Sequence, residues 1–413
     1  MWWANKFLNV KEKKLYLGDK DATKVAKAHG TPLYVYSKTQ ILSNFSALLK
    51  AFTGKTSLEI KLYYAMKANP HQEILKILKE AGACIDAVSP GEVAEALRAG
   101  FSADRIFFTG TSVSAEDLKL VFDQDDLIVN IDAVEQLELM KEVRERWFKH
   151  KKIKVAVRWN PGIGRGFNSK VVTAGEKTYD GMPIKFGVEE KKVIQTFARA
   201  SQYGFTPAGL HYHLGSGWTR QDFEAVKDAV DKMIQKASEV QKQGFSLEFL
   251  DFGGGFGPRY SSDQEKFSVK EYVEYICQKI KKSNLGIKTI AMEPGKYLVG
   301  DAGVLLVKVE YLKKSYENLF ACVNAGTFNT VPRPAIYSGA YHHIVNCSHI
   351  NYGKKELITV AGNLCETGDV FGKEIEMPVP KRGDILAVLC AGAYCKSMAS
   401  NFNLREIPKE III

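Results

Sequence analysis

Short apolar runs alternate with amphipathic stretches through the middle of the chain, and no linker interrupts them. The apolar runs, each of strand length, are Leu62–Met66, Cys84–Val88, Arg105–Thr109, Leu127–Ile131, Lys154–Trp159, Ala208–His213, Leu247–Phe252 and Thr289–Glu293. The stretches with helical periodicity are Gln72–Ala81, Pro90–Ala99, Ala115–Phe122, Val134–Arg146, Lys191–Tyr203, Asp222–Gln243 and Val269–Lys282. Eight strands with helices between them, over about 250 residues, predict an α/β fold of the (β/α)8 TIM-barrel type. A doubly wound open sheet is the competing fold, and the lack of a GxGxxG motif after an early strand disfavours it.

The pattern changes after about residue 303, where strands and turns replace the helices. The strand-like runs there are Val304–Val309, Leu319–Val323, His343–Asn346, Leu357–Val360 and Ile385–Leu389. These predict an all-β domain, with which the N-terminal strands Lys14–Leu17 and Pro32–Tyr36 could pair. The predicted domains are therefore a barrel over 38–303 and a β-sandwich or β-barrel formed by 1–37 and 304–413.

Composition narrows the class of protein. A length of 413 residues suggests two domains, and 45% hydrophobic with 25% charged residues is typical of globular proteins. No run of 18 apolar residues predicts a membrane span, and the charged N-terminal segment does not resemble a signal-peptide core. Seven cysteines without a CxxC pair predict neither a metal site nor a disulfide framework, and fit a cytoplasmic location. The net charge of +10 lies in short groups, which indicates solvated faces and anionic small ligands rather than nucleic acid.

Lys67 lies at the end of the apolar strand in KLYYAMKANP, just before Asn69 and Pro70. Lysine is seldom buried without a partner, so this position needs an explanation. A solvated lysine at a strand end is the simpler one. The alternative is a partly desolvated amine that reacts with a carbonyl group.

Polar residues follow the predicted strands at their C-terminal ends, where barrel enzymes place their chemistry. These residues are Lys67, Asp86, Ser89, Thr109–Thr111, Asp132, Arg158, Asn160, His211, His213, Gly215–Gly217, Gly253–Gly255 and Glu293–Gly295. Few of them suit a packed core, and several are of the types that bind a phosphorylated, electron-poor aromatic cofactor.

Three of these positions carry separate predictions. Gly253–Gly257 (GGGFG) follows the seventh strand, where barrel phosphate sites lie, although a flexible loop is the alternative. Glu293 could keep a pyridine nitrogen protonated or cap the next turn. His213 could stack on a ring or exchange a proton, and a structural role is the alternative.

The C-terminal β region carries three clusters: Val331–Tyr337 (VPRPAIY), Leu364–Asp369 (LCETGD) and Ala391–Asn403 (AGAYCKSMASNFN). Arg333 offers a rigid fork for a carboxylate. Cys365 and Glu366 offer a proton donor and a partner for an ammonium group, and Tyr394 could reach a phosphate. Taken singly, each is equally an ordinary loop residue.

Taken together, these motifs resemble those of the fold-type III pyridoxal-phosphate (PLP) decarboxylases, most closely the diaminopimelate decarboxylases. The motifs AMKANP, HYHLGSG, FGGGFG, EPG, RPAIY, CETGD and GAY…M.S..N occur in the order and at the spacing of that family. The resemblance extends from GTPLYVYS at 30–37 to SNFN at 400–403, which is nearly the whole chain.

The resemblance implies a role for each matching residue. Lys67 would hold pyridoxal 5'-phosphate covalently, His213 would stack on its ring and Glu293 would pair with its nitrogen. The remaining cofactor-binding residues would be Asp86, Arg158, Ser216, Gly253, Gly254, Gly255, Gly295 and Tyr394. The substrate-binding residues would be Lys296, Arg333, Tyr337, Glu366 and Tyr394, with Arg333 on a distal carboxylate and Glu366 on an amine. Cys365 would come from the second subunit of a homodimer, and either Cys365 or Lys67 would donate the proton.

This chain departs from the family pattern at several positions. Lys296 follows EPG where the family usually has arginine, and lysine lacks a bidentate grip on a carboxylate. Asn324 stands in place of a usual aspartate, and Cys395 and Lys396 replace small residues. The segment Gly164–Lys185 is longer than expected and could be a lid.

The resemblance favours decarboxylation of meso-diaminopimelate to L-lysine and carbon dioxide. The departures leave open a related decarboxylase for ornithine, lysine, arginine or a substrate of specialised metabolism. A protein that holds the cofactor without turnover is a third possibility, which Cys365 and Glu366 disfavour.

Overall fold

The structure is a computed structural model that describes residues 1–350 and 352–413. The chain divides into two compact units. The barrel unit comprises 45–257 and 266–295, and the β unit comprises 1–44, 258–265 and 296–413. The domain boundaries expected from the sequence, near 38 and 303, stay a prediction.

The N-terminal part of the β unit consists of short strands and one helix: β1 (Leu8–Lys11), β2 (Lys14–Leu17), β3 (Lys20–Asp21), α1 (Ala22–His29) and β4 (Leu33–Tyr36). The first three strands form an antiparallel sheet. Asp21 caps α1 by accepting a hydrogen bond from the backbone N–H of Thr23, which satisfies a donor that the first turn leaves unpaired.

Eight parallel strands close into a barrel, which confirms the predicted fold class. They are β5 (Glu59–Ala65), β6 (Cys84–Ala87), β7 (Ile106–Phe108), β8 (Ile128–Ile131), β9 (Lys154–Arg158), β10 (Thr206–His211), β11 (Phe249–Asp251) and β12 (Thr289–Met292). The pairing of β12 with β5, with Met292 opposite Leu62, closes the ring. Several strands end one or two residues earlier than predicted. His213 therefore lies in a loop two residues beyond β10.

The helices of this part of the chain are α2 (Lys38–Phe52), α3 (Gln72–Glu80), α4 (Pro90–Arg98), α5 (Ala115–Phe122), α6 (Gln136–Trp147), α7 (Val193–Gln202), α8 (Phe223–Lys242) and α9 (Val269–Ser283). Ser89 caps α4 immediately before Pro90, and Ser114 forms a capping box with Asp117 at the start of α5. In α3 the side chains of Ile74, Leu75, Ile77 and Leu78 are buried, which is the amphipathic pattern that predicted the helix. Among the described residues, no helix has both the length and the apolar character needed to cross a membrane.

Apolar side chains from the strands fill part of the barrel interior, including Tyr63, Phe107 and Phe249. The N-terminal ends of the strands surround a hollow of about 210 Å³ whose lining is strongly charged. Its charged residues are Lys61, Asp104, Asp126, Lys154 and Glu248, of which Lys154 and Glu248 form an ion pair at 3.0 Å. This hollow lies at the end of the barrel opposite the polar residues that follow each strand.

Among its described residues, the rest of the β unit contains two four-residue α-helices, α10 (Lys296–Val299) and α11 (Arg333–Ile336), and seven strands. The strands are β13 (Gly303–Ser315), β14 (Asn318–Val323), β15 (Ile344–Asn346), β16 (Lys355–Ala361), β17 (Val370–Pro378), β18 (Ile385–Val388) and β19 (Lys409–Ile412). The sheet order is β15-β18-β13-β14-β16-β17, and β4 pairs antiparallel with β13. Of the two N-terminal strands expected to pair with this domain, Leu33–Tyr36 is part of this sheet. Lys14–Leu17 instead lies in the separate sheet of β1, β2 and β3, and β17 and β19 were not predicted.

Candidate active site

Lys67 lies in a single 3₁₀ turn, Met66–Ala68, that follows β5 at the C-terminal end of the barrel. Its Nζ is 2.6 Å from Oδ2 of Asp86, which is fully buried at the end of β6. Thr109 donates its hydroxyl proton to the other oxygen of Asp86. Burial raises the pKa of Asp86, while Lys67 and the Thr109 hydrogen bond oppose that rise. The lysine is therefore held by a buried carboxyl group, but a third of its side chain stays exposed.

Glu293 follows β12 and is almost completely buried. Its Oε1 lies 3.3 Å from His211 Nε2, and His211 Nδ1 lies 2.8 Å from the Asn130 side-chain amide. Burial favours the neutral acid, but His211, Lys67 and His213 outweigh it and lower the pKa of Glu293 to about 2. Within the described residues, the contact with His211 lacks hydrogen-bond geometry, and Oε1 has no hydrogen-bond partner. The site thus presents a buried carboxylate oxygen that can accept a hydrogen bond from a protonated ring nitrogen.

Asp251 lies beside Glu293, but its surroundings favour the protonated acid. Its Oδ1 accepts a hydrogen bond from the backbone N–H of Gly253 at 2.8 Å. Burial raises the pKa of Asp251 well above its usual value, and the charge of Glu293 adds to the rise. One ligand-type atom from each of His211, Asp251 and Glu293 lies within 4.8 Å of the others, a spacing that a metal ion could also use. A protonated Asp251 is a poor metal ligand, and the expected absence of a metal stays a prediction.

His213 is oriented by Thr173, a residue that the sequence did not single out. The Thr173 hydroxyl lies 2.9 Å from the backbone oxygen of His213 and 2.8 Å from its Nδ1. A carbonyl oxygen only accepts, so the hydroxyl proton goes to it and Nδ1–H donates to the hydroxyl oxygen. Desolvation lowers the pKa of His213 to about 3, although Glu293 opposes the shift. The ring is therefore a neutral imidazole whose Nε2 carries the lone pair.

The loop Gly253–Gly255 lies against both Glu293 and His213. A Cβ atom at Gly254 would overlap the backbone oxygen of Glu293, and one at Gly253 would lie 2.5 Å from the backbone oxygen of Tyr212. Gly253 and Gly255 also have φ of 60° and 119°, which glycine adopts readily. Within the described residues no acceptor is found for the backbone N–H groups of Gly254 and Gly255. Free N–H donors on a glycine turn suit a phosphate group.

Two further glycine turns connect this loop to its surroundings. The backbone N–H groups of Gly217 and Trp218 donate to the oxygen of Gly255 at 2.7 and 3.1 Å, which places Ser216 beside the loop. Gly295 packs against the end of β5, since a Cβ there would lie 3.1 Å from the Ala65 side chain. The structure therefore brings Ser216 next to the glycine loop, and Gly295 next to the strand that carries Lys67.

Arg158 forms the opposite wall, with its Nη1 3.5 Å from Asp132 Oδ1 and its guanidinium 4.6 Å from the centre of the Phe186 ring. Thr111 donates to the second oxygen of Asp132 at 2.5 Å. These groups enclose a cavity of about 300 Å³, within the usual range for small-ligand sites. The cavity is lined by Lys67, Val88, Thr109, Thr111, Arg158, Thr173, Phe186, His211, His213 and Glu293.

The sequence missed several of these residues. Thr173 and Phe186 belong to the irregular stretch after β9, where no periodicity marks a side chain that points towards a cavity. The predicted lid, Gly164–Lys185, makes an isolated bridge between Val172 and Gly215, and its closing motion stays a prediction.

The β unit holds the residues predicted to bind substrate. Lys296 on α10 and Arg333 on α11 are both buried and share the ring of Tyr260, with their cationic groups 5.8 and 4.4 Å from its centre. Lys296 Nζ also lies 5.6 Å from the centre of the Tyr394 ring. Burial, reinforced by the charge of Arg333, lowers the pKa of Lys296 well below its usual value. Tyr337, at the end of α11, is half-buried.

Cys365 and Glu366 are exposed on a well-anchored loop. Buried Asp369 accepts hydrogen bonds from the backbone N–H groups of Thr327 and Leu364, at 2.6 and 2.7 Å. The backbone N–H of Cys365 donates to Asn403 at 2.9 Å. The thiol and the carboxylate are therefore presented to solvent by a loop whose base is fixed.

The fold and the barrel cavity together define a class of protein: a PLP-dependent enzyme built on a (β/α)8 barrel with an accessory β domain. A family model described as the pyridoxal-binding domain of pyridoxal-dependent decarboxylases matches residues 38–300. The chain is 38% identical over 404 residues to diaminopimelate decarboxylase of Methanothermobacter thermautotrophicus, covering 97% of this chain and 90% of that protein. It is 31% identical to the enzyme of Aquifex aeolicus, covering 99% and 93%.

Solved structures agree with this relationship. Diaminopimelate decarboxylase of M. jannaschii in complex with L-lysine superposes with a TM-score of 0.90 at 30% identity, covering 100% of this chain and 94% of that one. The Helicobacter pylori enzyme in complex with L-lysine superposes with a TM-score of 0.86 at 30% identity, covering 94% of this chain and 93% of that one. This chain belongs to the diaminopimelate decarboxylase family of fold-type III PLP-dependent carboxy-lyases.

Proposed function

We propose that this protein decarboxylates meso-2,6-diaminopimelate to L-lysine and carbon dioxide in lysine biosynthesis. The family relationship supports the reaction. The single structural observation that carries the proposal is the arrangement of Lys67, His213 and Glu293 around one cavity beside a glycine loop with free backbone donors.

The barrel residues fit pyridoxal 5'-phosphate. The unpartnered Oε1 of Glu293 suits a pyridinium N–H, the neutral ring of His213 suits one face of the cofactor, and the N–H groups of Gly254 and Gly255 suit its phosphate. When bound, the cofactor supplies an electron-poor ring that accepts the electron pair released as a carboxylate leaves as carbon dioxide.

The remaining steps belong to the side chains of this protein. Lys67 Nζ, at the C-terminal end of β5, would hold the cofactor. Asp86, held by Thr109, would orient Lys67 throughout. Glu293, as a carboxylate, would keep a proton on the ring nitrogen, and Arg158 and Ser216 would complete the cofactor contacts.

The β unit would recognise the far end of the substrate. Arg333 offers paired N–H donors for a carboxylate, and Lys296 adds a second group beside the same tyrosine ring. Tyr337 and Tyr394 would line this end, and Glu366 would accept a hydrogen bond from the distal ammonium group. Cys365 or Lys67 would deliver the proton to the carbon that loses carbon dioxide.

The protein would act as a homodimer in the cytoplasm, without nucleic-acid or membrane partners. An exposed loop with a fixed base, carrying Cys365 and Glu366, supports the sharing of these residues with a second subunit. The seven cysteines are all free thiols in the structure, which fits a reducing compartment.

A second candidate is decarboxylation of a related amino acid such as ornithine, lysine or arginine, or of a substrate from specialised metabolism. The observation that favours it is Lys296, a buried amine whose pKa is lowered well below its usual value at a position that would bind a carboxylate. A lysine whose charged form is disfavoured by burial, and which has no bidentate fork, binds a carboxylate less strongly than arginine does.

A panel assay separates the two candidates. Release of carbon dioxide would be measured from meso-diaminopimelate, lysine, ornithine and arginine, with Lys67→Ala as the inactive control. We expect turnover of meso-diaminopimelate to exceed that of the others by at least about a hundredfold in kcat/KM, since the others cannot fill the distal subsite. Preference for one of the other amino acids would replace the first candidate by the second. Borohydride reduction followed by peptide mapping should place the pyridoxyl label on Lys67, and a label elsewhere would contradict both.

A further inference from the structure

Arg333 is held by a histidine that the proposed function does not use. Its Nη1 lies 2.8 Å from Nε2 of His342, and both side chains are buried. The other ring nitrogen, Nδ1, lies 2.9 Å from the backbone oxygen of Leu389 in the loop after β18. A carbonyl oxygen only accepts and a guanidinium only donates, so the two contacts require the same tautomer. Nδ1–H donates to Leu389, and Nε2 accepts from Arg333.

The charge state of His342 agrees with this tautomer. Burial lowers the pKa of His342 well below its usual range, and the adjacent positive charge of Arg333 lowers it further. A neutral imidazole can orient a guanidinium without cancelling its charge. A carboxylate in the same place would form an ion pair with Arg333 and compete with a substrate carboxylate.

Tyr260 restricts the guanidinium from a second direction. The Arg333 guanidinium lies 4.4 Å from the centre of the Tyr260 ring. The imidazole of His342 meets that ring edge-on, with centroids 5.3 Å apart and an interplanar angle of 84°. His342 thus fixes one edge of the Arg333 guanidinium, and the Tyr260 ring fixes the plane beside which it lies. The direction of the other guanidinium N–H groups is therefore restricted.

The second cation of this cluster increases the importance of that restriction. Lys296 Nζ lies 5.8 Å from the centre of the same Tyr260 ring. An ammonium group is a compact charge on a flexible stem and lacks the fixed pair of parallel N–H donors that arginine has. Geometric discrimination of a planar carboxylate therefore depends on Arg333.

We propose that His342 is a positioning residue for substrate specificity, which orients the Arg333 guanidinium for the distal carboxylate of the substrate. This inference rests on the proposed function for the identity of that carboxylate. Within the β unit His342 is bonded to Arg333 and Leu389, and it acts through Arg333.

Two amide variants of His342 separate this role from a purely structural one. In His342→Gln the side-chain oxygen can occupy the place of Nε2 and accept from Arg333. In His342→Asn the shorter amide can donate to Leu389 in the place of Nδ1 but does not reach Arg333. His343→Phe is the matched control, because His343 is the next residue along and packs against Trp2 instead, at 5.3 Å between ring centroids.

Ligand binding to each holoenzyme gives the readout. L-Lysine and cadaverine carry the same two amino groups, but only L-lysine has a carboxylate, and both can be titrated through the cofactor absorbance. Loss of a hydrogen bond that orients a charged group predicts L-lysine affinity about ten- to a hundredfold weaker in His342→Asn. Cadaverine affinity should change by less than about twofold. His342→Gln and His343→Phe should both bind L-lysine within about threefold of wild type.

Steady-state kinetics should show a change in KM without a matching change in kcat. In His342→Asn the KM for meso-diaminopimelate should rise by a factor similar to the loss of L-lysine affinity, while kcat stays within about threefold. Equal losses for L-lysine and cadaverine, equal effects of Asn and Gln, or an unchanged L-lysine affinity in a folded His342→Asn protein would each overturn the inference. If the wild type itself does not distinguish L-lysine from cadaverine, the proposed distal carboxylate subsite fails as well.

Discussion

At the scale of single residues, the barrel site separates two neighbouring carboxyl groups by their protonation state. His211 and Lys67 favour the carboxylate form of Glu293, whereas burial and the charge of Glu293 favour the protonated form of Asp251. Two adjacent carboxyl groups in opposite states are a common feature of enzyme sites. Of these two groups, only Glu293 offers a fully charged carboxylate that can accept a hydrogen bond from a protonated ring nitrogen.

Isosteric neutralisation tests this difference. Asp251→Asn preserves the acceptor for the backbone N–H of Gly253 and the absence of charge, so kcat/KM should stay within about fivefold of wild type. Glu293→Gln removes a charge that stabilises the protonated ring nitrogen, and kcat/KM should fall by about a hundredfold or more. Steady-state kinetics on both holoenzymes provides the comparison. Equal losses would mean that Asp251 is ionised as well.

His213 provides a direct prediction about pH. Its pKa is lowered to about 3, so the ring should remain neutral from about pH 8 to about pH 5. In the unfolded chain His213 takes up a proton near its ordinary pKa of about 6.5, whereas in the folded protein it does so only at much lower pH. The contribution of the buried neutral ring to folding stability is therefore fully present above about pH 6.5. It is lost progressively as the pH falls towards the folded-state value.

Selective ¹³C labelling of the eight histidines makes the titration observable by NMR. The His213 signal, assigned by its loss in His213→Gln, should not shift over that range. A signal that titrates near pH 6 would show that the imidazole is not desolvated and that the ring is partly protonated at the lower end of this range.

At the scale of elements, the loop after β11 limits what the cavity can bind. The backbone of Gly254 passes so close to Glu293 that no side chain fits between them. Gly254→Ala should therefore displace the loop and weaken cofactor affinity by about tenfold or more, since each misdirected N–H loses a charge-assisted hydrogen bond. Gly286→Ala is the control in the same unit, because a Cβ there meets no atom within 4 Å. Equilibrium dialysis of pyridoxal phosphate against each apoprotein measures the difference, and equal affinities would exclude the loop as the phosphate site.

The same elements show what the sequence could and could not predict. Each barrel strand was recognised because buried parallel strands are continuous apolar runs. The strand β17 (VFGKEIEMP) was missed because it carries a glycine and three charged residues and is exposed on one face. Lys67, His213 and Glu293 converge on one cavity because strand ends of a barrel meet at one rim, which is a topological consequence. Thr173, Phe186 and Asn130 depend on the path of loops and the direction of single side chains, for which one sequence gives no periodic signal.

At the scale of the whole molecule, the proposed homodimer makes a prediction about mixed subunits. Cys365 is exposed on its loop, and a site that borrows it from a second copy is complete only in the dimer. Lys67→Ala and Cys365→Ala proteins should each be nearly inactive in carbon dioxide release.

Mixing the two variants under conditions that exchange subunits should restore activity to about a quarter of wild type, because half of the dimers then contain one intact site. Each variant incubated alone under the same exchange conditions is the control. No recovery from two inactive variants whose subunits demonstrably exchange would place Cys365 and Lys67 in the same subunit's site. Full activity of Cys365→Ala alone would exclude Cys365 from catalysis.

The charged hollow at the N-terminal ends of the barrel strands has a practical consequence. Its residues, including Lys61, Asp104 and Glu248, lie across the full length of the strands from Lys67 and its neighbours. In a parallel barrel, that end governs durability and the other end governs chemistry. Substitutions that fill this hollow with apolar side chains should therefore raise the thermal stability of the enzyme and leave its turnover rate unchanged.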